Sequence, residues 1–453
     1  MCSGANTLSA AGDGPLSFLD NLFKGSPSKA GEASPSMPLP NRSAQVQPAP
    51  TLGNAPLPWT GEDGASGHPL MTASAIREAA ANFDNCVASM WPDAARRNIS
   101  QASFQRFTAG LTPDLRIMDL MDSQPEFTKS IWDYLDILVN DDRLARGREI
   151  LAKYKSQFDA AEKAYGVDRY TIAAIWGIES NYSTQMGERS VLQSTATLAC
   201  IGRRQKYFKD EFLAALEILH RGDLRPEQMR GSWAGAFGPT QFMPTAFKRY
   251  AVDANGDGRR DVVDDVSDLI ASTANNLKKD GWEAGQTWGY EVVVPSNFDY
   301  MLADRTKPMT VAQWQHLGIK RAGNQPFPSS VEKAYLLAPA GAAGPGFLML
   351  QNFRVIMKYN PAEAYALAIG HFADRLHGGG PFVQPWPRQE RELSRAERLE
   401  LQQLLAQRGF YLGVPDGQLG GQTRQALRGF QITIGAPADG FASSDVLEQL
   451  RRR

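Results

Sequence analysis

The amino-acid sequence predicts a mainly α-helical protein with several domains. The chain has 453 residues, which is too long for one ordinary hydrophobic core. Apolar residues recur at helical spacing over most of residues 72–288 and again over 352–376. Proline- and glycine-rich stretches at the N terminus and around residue 380 divide the chain. We therefore expect a helical main body with an N-terminal tether and a separate C-terminal module.

Each segment has its own composition. Residues 1–70 are rich in Pro, Gly, Ser and Ala, which is typical of a disordered tether. The helical period fails after residue 288, where the run Tyr290–Pro295 favours a strand. In chain order we predict a disordered tether (1–70), a helical subdomain (72–164), a core (165–288 and 346–377) with a small β-containing insertion (289–345), a hinge-like linker (378–393) and a C-terminal domain (394–453).

Composition excludes some classes of function. The 48 basic residues nearly balance the 49 acidic ones, so the chain lacks the positive charge of a nucleic-acid-binding protein, and we predict no nucleic-acid partner. No apolar stretch approaches the roughly 18 to 20 residues that cross a bilayer. The first 25 residues also lack the pattern of a signal peptide. We predict no transmembrane segment.

The three cysteines, Cys2, Cys86 and Cys200, are too few for a zinc cluster or a disulfide-dense scaffold. Cys86 and Cys200 would be able to pair in an oxidising compartment. Cys2 directly follows the initiator methionine, where a mature bacterial lipoprotein carries its lipid. Three unrelated thiols are an equal alternative, because sequence does not place two sulfur atoms together.

Residues 171–182 place a carboxylate on an apolar helix face. Glu179 follows Ile175 by four residues and Trp176 by three, so its side chain shares their face. Burial without a charged partner raises the pKa of a carboxyl group, as a general acid near neutral pH requires. The alternative is a glutamate near a helix end that bonds a neighbouring backbone group or arginine. This segment alone does not choose between them.

The stretch 231–245 combines small residues with groups that suit a sugar. Small residues let the backbone approach a ligand, aromatic rings cover the apolar faces of sugars, and polar side chains bind their hydroxyl groups. Aromatic residues are more often part of a hydrophobic core. The candidate sugar-binding residues are Tyr182, Tyr207, Ser232, Gln241, Phe242, Tyr359 and Asn360.

Four sequence blocks together resemble the lytic murein transglycosylase B family, which cleaves peptidoglycan between N-acetylmuramic acid and N-acetylglucosamine. They occur in family order over residues 72–377. The blocks are Trp176–Tyr182, Arg203–Arg204 with Tyr207, Gly231–Pro244, and Asn352–Asn360 followed by Tyr365–Gly370.

The resemblance implies a lysozyme-like, mainly α core and specific residue roles. Glu179 would be the catalytic acid and base. Ser232, Gln241, Tyr359 and Asn360 would line the sugar subsites, and we add Tyr182, Arg203, Arg204, Tyr207 and Phe242 to the predicted substrate-binding set.

The implied reaction uses one carboxyl group and no catalytic cofactor. Glu179 protonates the glycosidic oxygen and then takes a proton from the 6-hydroxyl of the muramic acid, which closes a 1,6-anhydro ring. A hydrolase of the usual type would need a second carboxylate. The nearest candidate, Glu188, lies in a polar stretch and is interpreted as a solvated loop residue. A hydrolytic muramidase and a non-catalytic wall-binding scaffold remain alternatives.

The run from Asp253 to Asp261 has the spacing of an EF-hand calcium loop. Oxygen-bearing side chains occur at every second position, in Asp253, Asn255 and Asp257. Gly258 follows, and the next residue, Arg259, offers its backbone carbonyl. The family resemblance implies a lengthened loop closed by Asp268, with Asp264 as the second choice; a turn without metal is the alternative. The predicted ligands of a structural Ca²⁺ are Asp253, Asn255, Asp257, Arg259 and Asp268.

From Ser394 onward, short helical patterns and the turns Asp416–Gly417 and Asp439–Gly440 form a small internal repeat. The pattern resembles the peptidoglycan-binding domain of cell-wall hydrolases, and a small helical dimerisation unit is the alternative. A wall-binding module beside a wall-cutting core predicts peptidoglycan as partner, other wall enzymes as further candidates, and a periplasmic location with a lipid anchor at Cys2 as one form of it.

Overall fold

The computed structural model describes residues 59–64, 67–121 and 130–452. The helical N-terminal subdomain holds α1 to α8, which are α1 Ala73–Ala81, α2 Phe83–Ser89, α3 Trp91–Arg96, α4 Gln101–Thr108, α5 Arg116–Met121, α6 Ile131–Leu138, α7 Asp141–Lys153 and α8 Lys155–Tyr165. The core helices are α9 Arg169–Ser180, α10 Val191–Cys200, α11 Gln205–Arg221, α12 Pro244–Tyr250 and α13 Val266–Lys279. The later helices are α14 Val311–His316, α15 Gln351–Tyr359, α16 Glu363–Leu376, α17 Arg395–Gln407, α18 Gly421–Thr433 and α19 Ser444–Arg452. None of these helices is long and apolar enough to cross a bilayer.

The predicted tether ends earlier than residue 70. Trp59 packs against the hydrophobic cluster of the helical subdomain, with the Arg77 guanidinium 5.4 Å from its ring centroid. The Thr60 hydroxyl donates to an Asp119 carboxylate oxygen at 2.8 Å. Residues 59–64 are therefore part of the folded body. The rest of the predicted tether, including Cys2, lies outside the described residues except for 67–70.

A disulfide joins the helical subdomain to the core. Cys86 on α2 and Cys200 at the end of α10 are bonded, at a sequence separation of 114 residues. Around them, the apolar faces of α1 to α5 share one hydrophobic cluster with α10 and α11. Of the two possibilities that the sequence left open, pairing is therefore the one that the structure shows.

A second hydrophobic cluster surrounds α9. It includes Ile172, Ile175 and Ile178 of this helix and the buried residues Leu367 and Phe372 of α16. The Asp168 side chain caps α9 by accepting a hydrogen bond from the Thr171 backbone N–H, which satisfies a donor that the helix leaves unpaired. Every residue of α9 from Thr171 to Ser180 is buried. A helix that is buried on all sides gives its side chains a rigid, dry environment.

The insertion forms a sheet of five antiparallel strands, whose order across the sheet is Met309–Thr310 (β4), Lys333–Leu337 (β6), Gly346–Met349 (β7), Gly289–Val293 (β3) and Lys320–Arg321 (β5). The predicted strand at Tyr290 is β3, but the insertion extends past residue 345, because β7 pairs with both β3 and β6. The strands, including a separate two-stranded pair β1–β2, are β1 Arg189–Ser190, β2 Arg230–Gly231, β3 Gly289–Val293, β4 Met309–Thr310, β5 Lys320–Arg321, β6 Lys333–Leu337 and β7 Gly346–Met349.

The linker that we predicted as a hinge is packed against the body. The Phe382 ring lies 4.9 Å from that of Phe347, and the Trp386 ring lies 6.1 Å from the same ring. Arg388 forms an ion pair with Asp136 at 2.7 Å. Phe382 and Trp386, the two aromatic residues of the linker, bury apolar surface that a solvated hinge would leave in water. The three helices α17 to α19 then form a small cluster of their own.

Candidate active site

Glu179 lies near the C-terminal end of α9 and is only 1% exposed. The helix ends at Asn181, which has a left-handed φ of 48°. The apolar neighbours predicted to share its face, Ile175 and Trp176, are buried as well. The sequence prediction of a carboxyl group directed toward the core therefore holds in the structure.

The two oxygens of Glu179 have different surroundings. The Tyr365 hydroxyl donates to Oε1 at 2.7 Å, whereas Oε2 is buried and has no hydrogen-bond partner. Burial raises the pKa of Glu179 to about 8, and the hydrogen bond from Tyr365 offsets part of that rise. A carboxyl group in this environment is protonated at neutral pH and able to act as an acid.

Tyr359 and Tyr365 flank the carboxyl group from α15 and α16. The Tyr359 hydroxyl donates to the Thr240 backbone carbonyl. Burial, and next the charge of Glu179, hold the pKa of both tyrosines well above the usual value. Both hydroxyls therefore stay protonated and act as hydrogen-bond donors. The loop that carries Thr240 is thereby fastened to the helices that face Glu179.

Gln241 and Asn360, both predicted to bind sugar, each have a buried amide atom without a partner. Gln241 is 2% exposed; its Nε2 donates to the Gly238 and Met186 carbonyls at 2.9 and 3.2 Å, and its Oε1 has no partner. In Asn360, Oδ1 accepts from Ala362 N at 3.1 Å, and Nδ2 has no partner. Such atoms are uncommon in folded proteins, and a ligand with hydroxyl and amide groups would satisfy them.

Ser232 lies in a tight turn. Its Oγ accepts hydrogen bonds from the backbone N–H groups of Ala234 and Ala236 at 3.2 and 3.0 Å. The preceding Gly231 has no room for a side chain, since a Cβ there would lie 1.9 Å from the Ala236 carbonyl oxygen. The Ser232 side chain therefore shapes the loop that leads to Gln241, while its hydroxyl proton remains available as a donor.

The prediction that Tyr182 and Phe242 offer ring faces to a sugar is not supported. Tyr182 is 5% exposed and Phe242 is 2% exposed. The Tyr182 side chain fills the space left by Gly147 and Gly177, where an added Cβ would lie 2.3 Å from its hydroxyl oxygen and 2.7 Å from its ring, respectively. Phe242 packs edge-on against Tyr359, with ring centroids 6.4 Å apart. Both are packing residues here, which was the alternative.

Arg203, Arg204 and Tyr207 lie together at the start of α11. Arg203 donates to the Met121 carbonyl at 2.8 Å, and the Arg204 guanidinium lies 4.5 Å from the Tyr207 ring centroid. Tyr207 is 38% exposed, so its ring is accessible to a ligand. The described contacts of these residues do not reach Glu179, and their substrate-binding role stays a prediction.

Sequence reasoning missed the role of Tyr365. It was noted only as part of the Tyr365–Gly370 block. The signal that would have found it is a phenol among small apolar residues of a helix, because a buried tyrosine hydroxyl needs a partner. Glu188, the candidate second carboxylate, is exposed in its loop, as predicted.

The predicted calcium loop is closed by backbone hydrogen bonds. Asp253 Oδ1 accepts from Gly256 N at 2.7 Å, and its Oδ2 accepts from Gly258 N at 2.8 Å. The buried Asp268 accepts from Ala254 N and Asp261 N, each at 2.7 Å. Burial, opposed by these bonds, raises the pKa of Asp268, and the charges of Asp265 and Asp253 add to the rise.

The oxygen atoms in this loop are of the types that bind calcium, but they do not lie close enough together to form a metal site. Carboxylate, amide and carbonyl oxygens are the ligands that Ca²⁺ prefers. Within the ranges that the structure describes, however, no three His, Cys, Asp or Glu side chains are grouped closely enough to hold a metal ion. The acidic side chains would have to exchange backbone N–H partners for the ion. The calcium site stays a prediction.

Comparison with known proteins gives consistent matches over both parts of the chain. Residues 82–374 match the family model described as transglycosylase SLT domain, and residues 394–450 match that of a peptidoglycan binding domain. Membrane-bound lytic murein transglycosylase B of Escherichia coli K12 is 30% identical over 268 residues, which cover 56% of this chain and 72% of that protein.

Two solved structures illustrate the likeness in fold. SltB3 of Pseudomonas aeruginosa, in complex with NAG-anhNAM-pentapeptide, is 45% identical, with a TM-score of 0.79 over 82% of this chain and 99% of that chain. Slt35 of Escherichia coli, in complex with calcium, is 25% identical, with a TM-score of 0.55 over 70% and 95% of the two chains.

Proposed function

The chain belongs to the family of transglycosylases with an SLT domain, and from that premise we propose that Glu179 is the acid and base of its reaction. The protein is a lytic transglycosylase that cleaves peptidoglycan without adding water. The observation that carries the residue assignment is the buried Glu179 carboxyl group, with one oxygen bonded to Tyr365 and the other without a partner.

The hydrogen bond from Tyr365 decides which oxygen carries the proton. Because the Tyr365 hydroxyl donates to Oε1, that oxygen acts as an acceptor. The proton of the neutral carboxyl group therefore resides on Oε2, which has no protein partner. Oε2 is the atom that delivers the proton to the glycosidic oxygen, and Tyr365 stabilises the carboxylate that remains.

The proposed reaction has two proton transfers through the same atom. Oε2 protonates the glycosidic oxygen as the bond to the muramic acid C1 breaks, and the N-acetyl group of that sugar stabilises the positive charge. The Glu179 carboxylate then removes the proton of the 6-hydroxyl, whose oxygen bonds to C1 and forms the 1,6-anhydro ring. Glu179 ends protonated, as it began, so the cycle needs no second carboxylate.

Gln241, Asn360 and Ser232 are the proposed sugar-binding residues. The unpartnered Gln241 Oε1 accepts from a sugar hydroxyl or amide N–H, and Asn360 Nδ2 donates to a carbonyl or hydroxyl oxygen. Ser232 adds a hydroxyl proton on the same loop as Gln241. Tyr359, the chain neighbour of Asn360, fixes this loop through its bond to the Thr240 carbonyl.

We also propose the structural calcium site at Asp253, Asn255, Asp257, Arg259 and Asp268. The spacing of the oxygen donors supports it, as does the complex of the similar Slt35 protein with calcium. When bound, the ion would brace the loop between α12 and α13, and no step of the reaction depends on it.

A periplasmic location is proposed for the same protein. The Cys86–Cys200 disulfide supports an oxidising compartment, and a similar protein from Escherichia coli is named as membrane-bound. A lipid on Cys2 would supply such attachment. Partnership with other cell-wall enzymes belongs to the same proposal.

The test is mass spectrometry of the muropeptides that the wild-type protein and Glu179→Gln release from purified peptidoglycan. Wild-type products are expected to end in 1,6-anhydromuramic acid, and the variant is expected to release none. Anhydro ends formed equally by Glu179→Gln would overturn the assignment of the acid and base. Reducing ends from the wild type would identify a hydrolytic muramidase, and no release by either protein would leave a wall-binding scaffold.

A further inference from the structure

The C-terminal module contains two turns that are built alike. In the first, the Gln402 side-chain oxygen accepts from the backbone N–H groups of Asp416 and Gly417 at 2.9 and 2.7 Å. Its amide nitrogen donates to Asp416 Oδ1 at 2.9 Å. Gln402 is fully buried, and Gly417 has a left-handed φ of 75°. The first turn is therefore locked to α17.

The second turn repeats this arrangement one helix later. The Gln431 side-chain oxygen accepts from Gly440 N at 2.8 Å, and its amide nitrogen donates to Asp439 Oδ1 at 2.7 Å. Gly440 has a φ of 74°. Because the two turns have the same hydrogen-bonding pattern, we infer that a difference in their surroundings indicates a difference in their function.

The second turn is docked on the catalytic body. Asp439 Oδ2 accepts from Ala342 N of the insertion at 2.8 Å. Gly341 approaches so closely that an added Cβ would lie 2.4 Å from the same oxygen. Nearby on α18, Arg424 forms an ion pair with Glu363 at 3.0 Å, and Arg428 donates to the Ala303 carbonyl at 3.0 Å. This side of the C-terminal module is therefore attached to the catalytic body.

The first turn is preceded by a loop that exposes apolar side chains. Leu412 is 96% exposed and Val414 is 85% exposed, the two most exposed large apolar residues in the part of the chain that the structure describes. The loop between them is held in place, because Tyr411 is buried and a Cβ on Gly413 would lie 2.7 Å from its hydroxyl oxygen. Leu and Val side chains presented to water on a fixed loop favour a binding surface.

We propose that residues 412–415 are the surface by which the C-terminal module binds the cell wall, with Leu412 and Val414 covering methyl groups and apolar sugar faces of a peptidoglycan strand. The proposal rests on the proposed function and on the match of residues 394–450 to a peptidoglycan binding domain. Since the second turn is occupied by the catalytic body, the first turn is the one of the pair that faces outward.

The test measures binding of the protein to purified sacculi by sedimentation. All proteins carry Glu179→Gln, so that the wall is not degraded and binding is read independently of turnover. The test variant is Leu412→Ser with Val414→Ser. The matched control is Val331→Ser with Val383→Ser, which removes two other exposed apolar side chains, 78% and 64% exposed. Thermal unfolding verifies that each variant is folded.

The test variant is expected to raise the dissociation constant for sacculi about tenfold, from the lost burial of two aliphatic side chains, while the control binds as the parent does. Unchanged binding by the test variant would overturn the proposal. Equal loss by the control would also overturn it, since any exposed apolar residue would then serve. If the parent protein instead binds vesicles of phosphatidylethanolamine and phosphatidylglycerol, and the test variant loses that binding, the loop is a membrane contact and the proposal is wrong. Absence of anhydro products from wild type would contradict only the proposed function.

Discussion

Among single residues, Glu179 stands out because its carboxyl group is buried and accepts a hydrogen bond from one described donor. Glu179 is 1% exposed, and its described partner is the Tyr365 hydroxyl. Burial favours the neutral form and the hydrogen bond favours the charged form. Because burial dominates, the pKa of Glu179 is raised, which suits the acid that we propose this group to be at the start of the reaction.

The raised pKa of Glu179, about 8, predicts how activity depends on pH. The acid form is needed, so kcat/KM is expected to fall as pH rises through about 8. The folded state holds this proton more tightly than the unfolded state, so the free energy of unfolding decreases from the unfolded-state pKa near 4.5 up to about 8. In Glu179→Gln, which has no carboxyl group to ionise, this pH-dependent decrease in the free energy of unfolding is expected to be absent.

The measurement is kcat/KM across pH 5 to 10 together with thermal unfolding of wild type and Glu179→Gln. The variant is expected to be more stable than wild type at pH 8 by about 1 to 3 kcal/mol, with a smaller difference at pH 5. A basic limb near pH 5 would contradict a neutral, buried carboxyl group.

Removing the hydroxyl of Tyr365 tests its role as the positioning donor. Tyr365→Phe is expected to lower kcat/KM between about tenfold and a hundredfold, the range for a lost hydrogen bond to a charged group. It should also move the basic limb to higher pH, because the bond lowers the pKa of Glu179.

Tyr290→Phe is the matched control, since Tyr290 is also buried and bonds Glu332 in the insertion at 3.1 Å. It is expected to leave both the rate and the pH profile unchanged. A Tyr365→Phe enzyme with a lower rate but an unmoved basic limb would indicate a packing role only.

At the scale of elements, close backbone approach and left-handed turns set the position of the site. Three consecutive residues, Asn181, Tyr182 and Ser183, have φ values of 48°, 57° and 70°. Such a run is rare for residues other than glycine. It turns the chain sharply after Glu179 and inserts the Tyr182 ring between α7 and α9, at Gly147 and Gly177. This packing leaves the faces of the Tyr182 ring covered by protein.

The loop between α12 and α13 allows a test of calcium binding. Calcium at millimolar concentration is expected to raise the thermal unfolding midpoint of the wild type, because an ion that binds only the folded state stabilises it. Asp253→Asn should reduce that rise, since Asp253 is a proposed ligand. Asp304→Asn, in the insertion, is the control and should respond as wild type does. Equal response of all three proteins would argue against the site.

At the scale of the whole molecule, separate hydrophobic clusters are held together by few but specific links. The disulfide connects α2 to α10, the aromatic residues of the linker cover the core, and Asp439 fastens the C-terminal module to the insertion. The helix α9 and the C-terminal module are therefore linked through described contacts of the linker and the insertion.

The disulfide closes a loop of 114 residues, so its removal is expected to lower stability by about 2 to 4 kcal/mol. Cys86→Ala with Cys200→Ala should unfold at a lower temperature than wild type. Addition of a thiol reductant should lower the midpoint of wild type and leave that of the variant unchanged. Cys2→Ala is the control. A reductant effect that persists in the double variant would mean that the disulfide is not its cause.

Segments with a local signal were predictable from the amino-acid sequence alone. Apolar spacing predicted the helices around Ile131 and Glu179 because a helix repeats over a few residues. The strand at Tyr290 and the paired turns at Asp416 and Asp439 were likewise predicted from neighbouring residues. The four blocks of the family resemblance indicated Glu179 as the acid and base, and the protein's family is confirmed by the comparisons.

The side chains that surround Glu179 were not predictable from the sequence, because they come from distant parts of the chain. Tyr365 lies 186 residues away along the chain, and no local pattern encodes that hydrogen bond. The rings of Tyr182 and Phe242 pack in the interior, whereas Gln241 and Asn360, which are similarly buried, each keep one side-chain amide atom unpaired. The physical reason is that exposure, hydrogen bonding and pKa depend on atoms from distant segments, whereas spacing along the chain reports only what adjacent residues favour.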